Sequence, residues 1–377
     1  MTARKQMVFS LYGAGRLVEA LAAAREMLAT NRDDVELLNL AAACHMGLGA
    51  PDQAEACWRA ALDIQPDWGE GWNNLGVLYK TRKQFAAASE ALRTALRLNP
   101  AHAEASNNLG TVLLATACYP EAENAFLQAA RLRPEYAEAH YNLGALLMEL
   151  GRATEAEAAF LRAVALRPEY ANAHNNLATL LAGQKRYREA ETALRRALRC
   201  QPRRGDILFN LGNLLKQLDR PSEAETAFLE AVRCQPGHVE ALNNLGILLQ
   251  EQRRPAEAEE IFRHLLSIRP DFFPARFNLG NLLRTQRRYH EAESAYRHAL
   301  DLRPEALEAR VNLGLTLQET GRCAEAEEIF LHLLAQDPQH ADTAWNLALL
   351  YLSQGRFQEG RPLQRVQVHP FLNHLPQ

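Results

Sequence analysis

The chain has 377 residues, 47 % hydrophobic and 23 % charged, with 42 Lys+Arg against 45 Asp+Glu and a net charge of −3. This composition excludes a disordered chain, and the near-neutral balance argues against a protein held to nucleic acid through phosphate contacts. No apolar run approaches the roughly 18 residues of a membrane span, and six cysteines are too few for a disulfide scaffold, so a reducing, cytoplasmic setting is expected.

The first segment carries Arg4 and Lys5 but only a short apolar stretch before Gly13, so no signal peptide is read there. Residues 1–34 look like a degenerate copy of the later units: Gly15, Ala20 and Ala24 fit, while Arg32 stands where later copies have proline. The unit from Val35 also departs, with Ala41-Ala42 in place of Leu-Gly and Pro51 in its turn. From Asn74-Leu75-Gly76 onward a marker returns at a constant step of 34, at Asn108, Asn142, Asn176, Asn210, Asn244, Asn278, Asn312 and Asn346. Leu follows each of them, and then Gly, or Ala after Asn176 and Asn346. Proline keeps the same step from Pro66 to Pro338, which uses nine of the 17 prolines and makes proline mostly punctuation.

Each unit reads as two short helices. Trp72, Leu75, Gly76 and Tyr79 lie on one face of the first, where Gly76 lets a neighbouring helix approach. Ala122, Phe126 and Ala129, or Ala156, Phe160 and Ala163, form one stripe of the second. Gly15, Gly49, Gly151, Gly321 and Gly355 share one place between the helices, where a left-handed turn suits glycine. The proline stops the second helix. Nine full units occupy residues 35–340, and a partial copy occupies 341–360. Residues 361–377, with Pro362, Pro370 and Pro376, read as a cap over the last apolar face or as a junction to a further domain.

The spacing Trp72-x2-Leu75-Gly76-x2-Tyr79, followed by Ala88 and Pro100, resembles the tetratricopeptide repeat. The resemblance implies an all-α, right-handed superhelical solenoid whose first helices line a concave groove. In such families that groove takes its residues from the second, fifth, sixth, ninth, twelfth and thirteenth places of the first helix. The sixth is the Asn series from Asn74 to Asn346, and Tyr141, Phe209 and Phe277 stand at the fifth, as does Trp345. A carboxamide both donates and accepts, so a ladder of them suits the main chain of an extended peptide, with the aromatics as side-chain pockets. The ladder is similar to that of the O-GlcNAc transferase repeat arm. The alternative is that each Asn bonds only to the adjacent helix.

Other groups point to less. Glu70, Glu104, Glu138, Glu240 and Glu308 at the second place, with no Arg at the sixth, argue against a clamp for a terminal carboxylate. Their simplest role is in the positive first turn of a helix. His264, His298 and His332 stack too far apart for shared metal ligation, and His140 and His174 form a shorter stack, so no metal or other cofactor is expected. His290-Glu291 lacks the second His of a zinc-protease motif, since Ser294 takes its place. Cys200 and Cys234 replace an apolar residue seen as Leu98, Leu132, Leu166 and Leu302 and are expected to be buried. Cys118 and Cys323 lie near turns. With no nucleophile elbow and no phosphate loop, no catalysis is expected of this chain.

The expected function is a non-catalytic protein-interaction scaffold that holds an extended protein or peptide segment. Nucleic acid and membrane are not expected partners, and the open ends of a solenoid offer surfaces for self-association. The second reading is the substrate-recognition arm of a bacterial glycosyltransferase whose catalytic domain is elsewhere, because 355–363 is similar to the exit of such arms. A helical-repeat RNA reader is disfavoured by the charge and by a step of 34. The excess of Arg is read as a solvated, ion-paired outer surface.

Overall fold

A computed structural model describes residues 2–364, in two compact units, Met1–Cys200 and Gln201–Gln377. The first unit pairs α1 (Thr2–Gly13) with α2 (Leu17–Thr30), α3 (Val35–Gly47) with α4 (Pro51–Ile64), and α5 (Gly69–Thr81) with α6 (Phe85–Leu98). It continues with α7 (Ala103–Ala115) and α8 (Tyr119–Leu132), α9 (Ala137–Glu149) and α10 (Ala153–Leu166), and α11 (Ala171–Gly183) and α12 (Tyr187–Cys200). The second unit pairs α13 (Gly205–Gln217) with α14 (Pro221–Cys234), α15 (Val239–Glu251) with α16 (Pro255–Ile268), and α17 (Phe273–Thr285) with α18 (Tyr289–Leu302). Its last pairs are α19 (Leu307–Glu319) with α20 (Cys323–Gln336), and α21 (Ala341–Ser353) with α22 (Phe357–Gln364). Residues 1–34 thus carry a complete helix pair, and α22 runs past Gly360. The remainder of the 361–377 tail, read as cap or junction, lies outside the described residues.

Seven of the pairs close on one contact. The eighth residue of the first helix is Gly at 76, 110, 144, 212, 246, 280 and 314, and a Cβ there would lie 2.5–2.8 Å from a side chain of the second helix. That side chain is Leu92, Phe126, Phe160, Phe228, Phe262, Tyr296 or Phe330, and all seven are fully buried. In the α11–α12 pair the same two places hold Ala178 and Leu194, a methyl gained against a smaller partner. The two helices of a pair, 13 and 14 residues long in α5 and α6, are marginal alone. The buried apolar stripe of the second helix, as at Ala156, Phe160 and Ala163 in α10, supplies their order.

The turn within every pair demands one left-handed residue. Gly15, Gly49, Gly151, Gly321 and Gly355 hold φ between 72° and 77°, and the equivalent Lys83, Ala117, Lys185, Asp219, Arg253 and Arg287 hold φ of 56–62°. The requirement comes from joining two antiparallel helices in three residues, not from the residue that happens to stand there. An L-residue in this region costs about 1–2 kcal/mol, and the looser unfolded chain of glycine offsets roughly 0.5–1 kcal/mol of the relief. Ala117→Gly is therefore expected to stabilise the first unit by about 0.5–1 kcal/mol. Gly151→Ala should destabilise it similarly, since nothing lies within 4 Å of a Cβ built at Gly151. Urea unfolding of the two variants reads both signs.

Neighbouring pairs are tied by ions. Arg152, Arg186, Arg254, Arg288, Arg322 and Arg356 each hold a Glu three places on. Each also reaches with Nη1 to a Glu of the preceding second helix, 29 residues back. For Arg288 these are Glu291 at 2.6 Å and Glu259 at 2.7 Å. The ion-paired surface expected from the sequence is thus a lattice between repeats. The guanidinium holds Glu257, Glu291, Glu325 and Glu359 below the ordinary carboxylate value of 4.5. A carboxylate with a lowered folded value takes up its proton first in the unfolded chain, so its stabilisation is present above 4.5 and is lost as pH falls below that. The melting temperature should fall as pH drops below 4.5, and less steeply in Arg288→Gln. Equal slopes in the two proteins would remove the lattice from acid stability.

Successive first helices also pack on one another, as α5 does on α7 and α7 on α9 in the first unit, or α15 on α17 and α17 on α19 in the second. No comparably close packing joins successive second helices among the described residues. Within each unit the first helices therefore lie on the inner side of the curve.

Candidate functional site

The sixth residue of each first helix, from Asn74 to Asn346, is half-buried on that inner side. The structure shows what the amides touch. Asn74 donates through Nδ2 to Asn39 Oδ1 at 3.2 Å, Asn108 to Asn73 at 3.0 Å, Asn142 to Asn107 at 2.9 Å, and Asn278 to Asn243 at 3.0 Å. Every acceptor is the fifth residue of the preceding first helix. A bond to the adjacent first helix, the alternative expected from sequence, is therefore present at these four, and at Asn176, Asn244 and Asn312 as well.

Where the fifth residue is not Asn, the chain compensates. The Tyr141 hydroxyl oxygen accepts from Asn176 Nδ2 at 3.3 Å. Phe209 and Phe277 have no acceptor, and four places later Asn213 and Asn281 supply one, to Asn244 at 2.7 Å and to Asn312 at 2.8 Å. Asn281 also accepts from the buried Tyr296 hydroxyl at 2.7 Å. Asn346 faces a preceding helix with Val311 and Leu315 at these two places and makes no side-chain hydrogen bond among the described residues. A carboxamide has two N–H donors and two acceptor lone pairs. For Asn142, Asn176 and Asn278 the inter-repeat bond consumes one donor and fixes which way the amide points, leaving its oxygen unengaged by described side chains.

Each of the three aromatics packs on the second helix of its own pair, and Tyr141 and Phe209 also reach the residue that precedes the next first helix. Tyr141 lies 6.0 Å from Phe160 and 4.9 Å from Tyr170, Phe209 lies 6.1 Å from Phe228 and 5.0 Å from His238, and Phe277 lies 6.1 Å from Tyr296. Each keeps part of its ring accessible. At the twelfth place, Lys80 donates to Asn108 Oδ1 at 2.9 Å, and burial lowers its pKa. Lys216 pairs with Glu251 at 2.8 Å.

The remaining candidates have local partners. His140 and His174 contact the carbonyls of Pro134 and Pro168 at 3.1 and 2.9 Å, as Trp72 does that of Pro66 at 2.9 Å. Glu104 and Glu138 pair with Arg133 and Arg167, which also stack over Tyr136 and Tyr170, so the dipole is not their only partner. Cys234 is exposed and Cys200 partly so, against the expectation of burial. The last residue of a second helix faces outward, and Leu98 and Leu132 there are 38 % and 39 % exposed. No described helix is long and apolar enough to cross a membrane.

Helix pairs of nearly constant length, six of them closed by a Gly–aromatic contact, with successive first helices packed on one another within each unit, define an α-solenoid of helical repeats. Family models of the tetratricopeptide repeat match residues 11–75, 69–102 and 283–347, and that of the C-terminal domain of cilia and flagella-associated protein 70 matches 104–269. The chain belongs to the tetratricopeptide-repeat proteins. Among solved structures it is similar to Pseudomonas aeruginosa pilF, at 24 % identity over 56 % of this chain and 96 % of that one, with a TM-score of 0.51. It is also similar to the human IFIT1 dimer with m7Gppp-AAAA, at 17 % identity over 96 % of this chain and 88 % of that one, again at 0.51. A third is YrrB, described as a TPR protein with an unusual peptide-binding site, at 24 % identity over 50 % and 96 % with a TM-score of 0.43. These likenesses are of fold. No curated protein matches the chain.

Proposed function

We propose that the chain is an interaction scaffold that holds an extended peptide along the inner faces of its first helices. Family membership supports the scaffold. The observation that carries the finer reading is the pre-oriented amide: Asn142, Asn176 and Asn278 are each fixed by one bond to the preceding repeat, with an oxygen turned to no described side chain. Such an oxygen accepts a peptide N–H without first losing rotamer freedom, which lowers the ordering penalty of binding. Helices about 10 Å across and an extended chain rising about 3.3 Å per residue bring one amide to every third peptide residue. Recognition would then run through the main chain, with Tyr141, Phe209 and Phe277 reading side chains locally.

A photo-crosslinking amino acid at Ala145, the ninth residue of α9, tests this against one at the outward Leu161, which is 48 % exposed. Peptides should be captured at Ala145 and not at Leu161. Capture at Ala145 should fall when Asn142, Asn176, Asn210 and Asn244 are all changed to Ala in a chain of unchanged helicity. Equal capture at both sites, or capture indifferent to the four substitutions, overturns the groove.

A further inference from the structure

We propose that the outer side of the first unit binds a lysine or arginine side chain of a partner polypeptide, at a cavity built from Trp72, Asp63 and Glu90. This site stands apart from the inner faces of the first helices and does not rest on the peptide reading above. Successive second helices do not pack closely on each other, so a groove lies between α4 and α6 with α5 beneath it. A cavity of about 590 Å³ occupies that groove. Trp72, Leu75 and Tyr79, the fourth, seventh and eleventh residues of α5, form its floor. From α4 come Arg59 and Asp63, and from α6 come Ala87 and Glu90. Arg59, Asp63 and Glu90 are exposed, so a ligand reaches them from solvent.

The ion lattice skips this junction. In the later pairs an Arg precedes the second helix and a Glu is its third residue, as with Arg288 and Glu291, whereas α6 has Gln84 and Ala87 at these places. Glu55 of α4 is held instead by Arg59 and Arg82, and Arg82 also holds Asp52, so these four close a neutral network. Arg59 further donates to the Tyr79 hydroxyl at 2.9 Å. Asp63 and Glu90 are left on the two walls with no ion-pair partner among the described residues. The Trp72 N–H is committed to the Pro66 carbonyl at 2.9 Å, so what the indole offers the cavity is apolar surface. Two unpaired carboxylates beside an indole complement a cation on an aliphatic stem, the charge going to the carboxylates and the stem to Trp72 and Leu75. An anion would meet like charge twice, and a neutral chain would take both carboxylates from water unpaired. In the second unit the cavity between α18 and α20, about 420 Å³, has Arg310 at the fourth place of α19 where α5 has Trp72, so there the chain itself supplies a cation. The cavity over α5 runs on into another of about 490 Å³ that shares Arg59, Tyr79 and Ala87, which gives room to the polypeptide bearing the side chain.

The test uses the full chain labelled with 15N-tryptophan, following the Nε1–H signal of Trp72, assigned by its loss in Trp72→Phe. Acetyl-lysine methylamide and acetyl-arginine methylamide stand for the partner's side chain, acetyl-norleucine methylamide for a stem without charge, and n-butylammonium for a free amine, all at one ionic strength. Saturable shifts are expected with the lysine or the arginine compound and not with norleucine. They should weaken about fivefold when Asp63→Asn and Glu90→Gln are combined, the loss of two exposed ion pairs. Both residues are exposed and unpaired, so the variant keeps its fold, and unchanged helicity checks this. An equal response to norleucine, no saturable shift, or an unchanged response in the double variant overturns the site. Tighter binding of n-butylammonium than of either methylamide overturns the polypeptide as its source.

Discussion

Gly246→Ala is expected to destabilise the pair α15–α16 by up to about 2 kcal/mol, and Phe262→Leu in the same chain to recover most of that loss. Two effects oppose each other in the single variant. Alanine is the better helix former by about 1 kcal/mol. Its Cβ, however, would stand 2.6 Å from Phe262 Cε1 and 2.8 Å from Cζ, and the ring is fully buried with nowhere to turn. Overpacking of this kind costs typically about 1–3 kcal/mol, more than the propensity returns. Phe262→Leu alone leaves a void and costs about 1–2 kcal/mol. Together the two changes copy Ala178 and Leu194, which the α11–α12 pair already packs at 1 % and 2 % exposure. A double-mutant cycle in urea should give a coupling of at least ~1 kcal/mol. Additivity of the two single effects would show that the Gly–aromatic contact is not what closes the repeat.

Asn281→Leu should be more damaging, by about 2–4 kcal/mol, because it removes the acceptor of two groups at once. Asn312 Nδ2 and the Tyr296 hydroxyl both donate to Asn281 Oδ1, at 2.8 and 2.7 Å, and Tyr296 is fully buried. A buried donor left without an acceptor costs roughly 1–3 kcal/mol. Adding Tyr296→Phe deletes one of the two stranded donors and should restore about half of the loss. The same tyrosine marks the alkaline limb. Burial pushes it up to about 12 from 10, so the folded chain keeps a proton that the unfolded chain loses, and stability declines as pH rises above 10. Tyr296→Phe should shallow that decline without abolishing it, since burial, then the neighbouring Tyr141, raises Tyr170 to about 12 as well. An unchanged alkaline slope in Tyr296→Phe would show that its hydroxyl is not kept from water in the folded chain.

The helix pairs are legible in the sequence because two markers, Asn-Leu-Gly and proline, keep step over most of the chain. The left-handed turn is legible only at the five glycines. The identical backbone at Lys83 or Arg253 leaves no trace in residue type, because the closure between two helices imposes it. The partners of the Asn series are not legible one unit at a time. The acceptor lies 35 residues back, a relation that appears only when adjacent copies are laid side by side. One signal is available: Phe209 travels with Asn213, and Phe277 with Asn281, which is the exchange of an acceptor from the fifth place to the ninth. The cysteines mislead because Leu in the aligned copies reads as core, whereas the end of each second helix turns outward.

That exchange bears on how such a chain changes in copy number. For the bond of its sixth-place Asn, a unit of the series asks of its predecessor one oxygen, at either of two heights. Excising the residues of α15 and α16 would bring Asn278 against Asn213, and excising those of α17 and α18 would bring Asn312 against Asn243, so either deletion leaves a competent junction. The unit holding Val311 and Leu315 is the exception, since its successor must do without. For this bond, either deletion is neutral, and that one unit can be moved only to the detriment of its new neighbour.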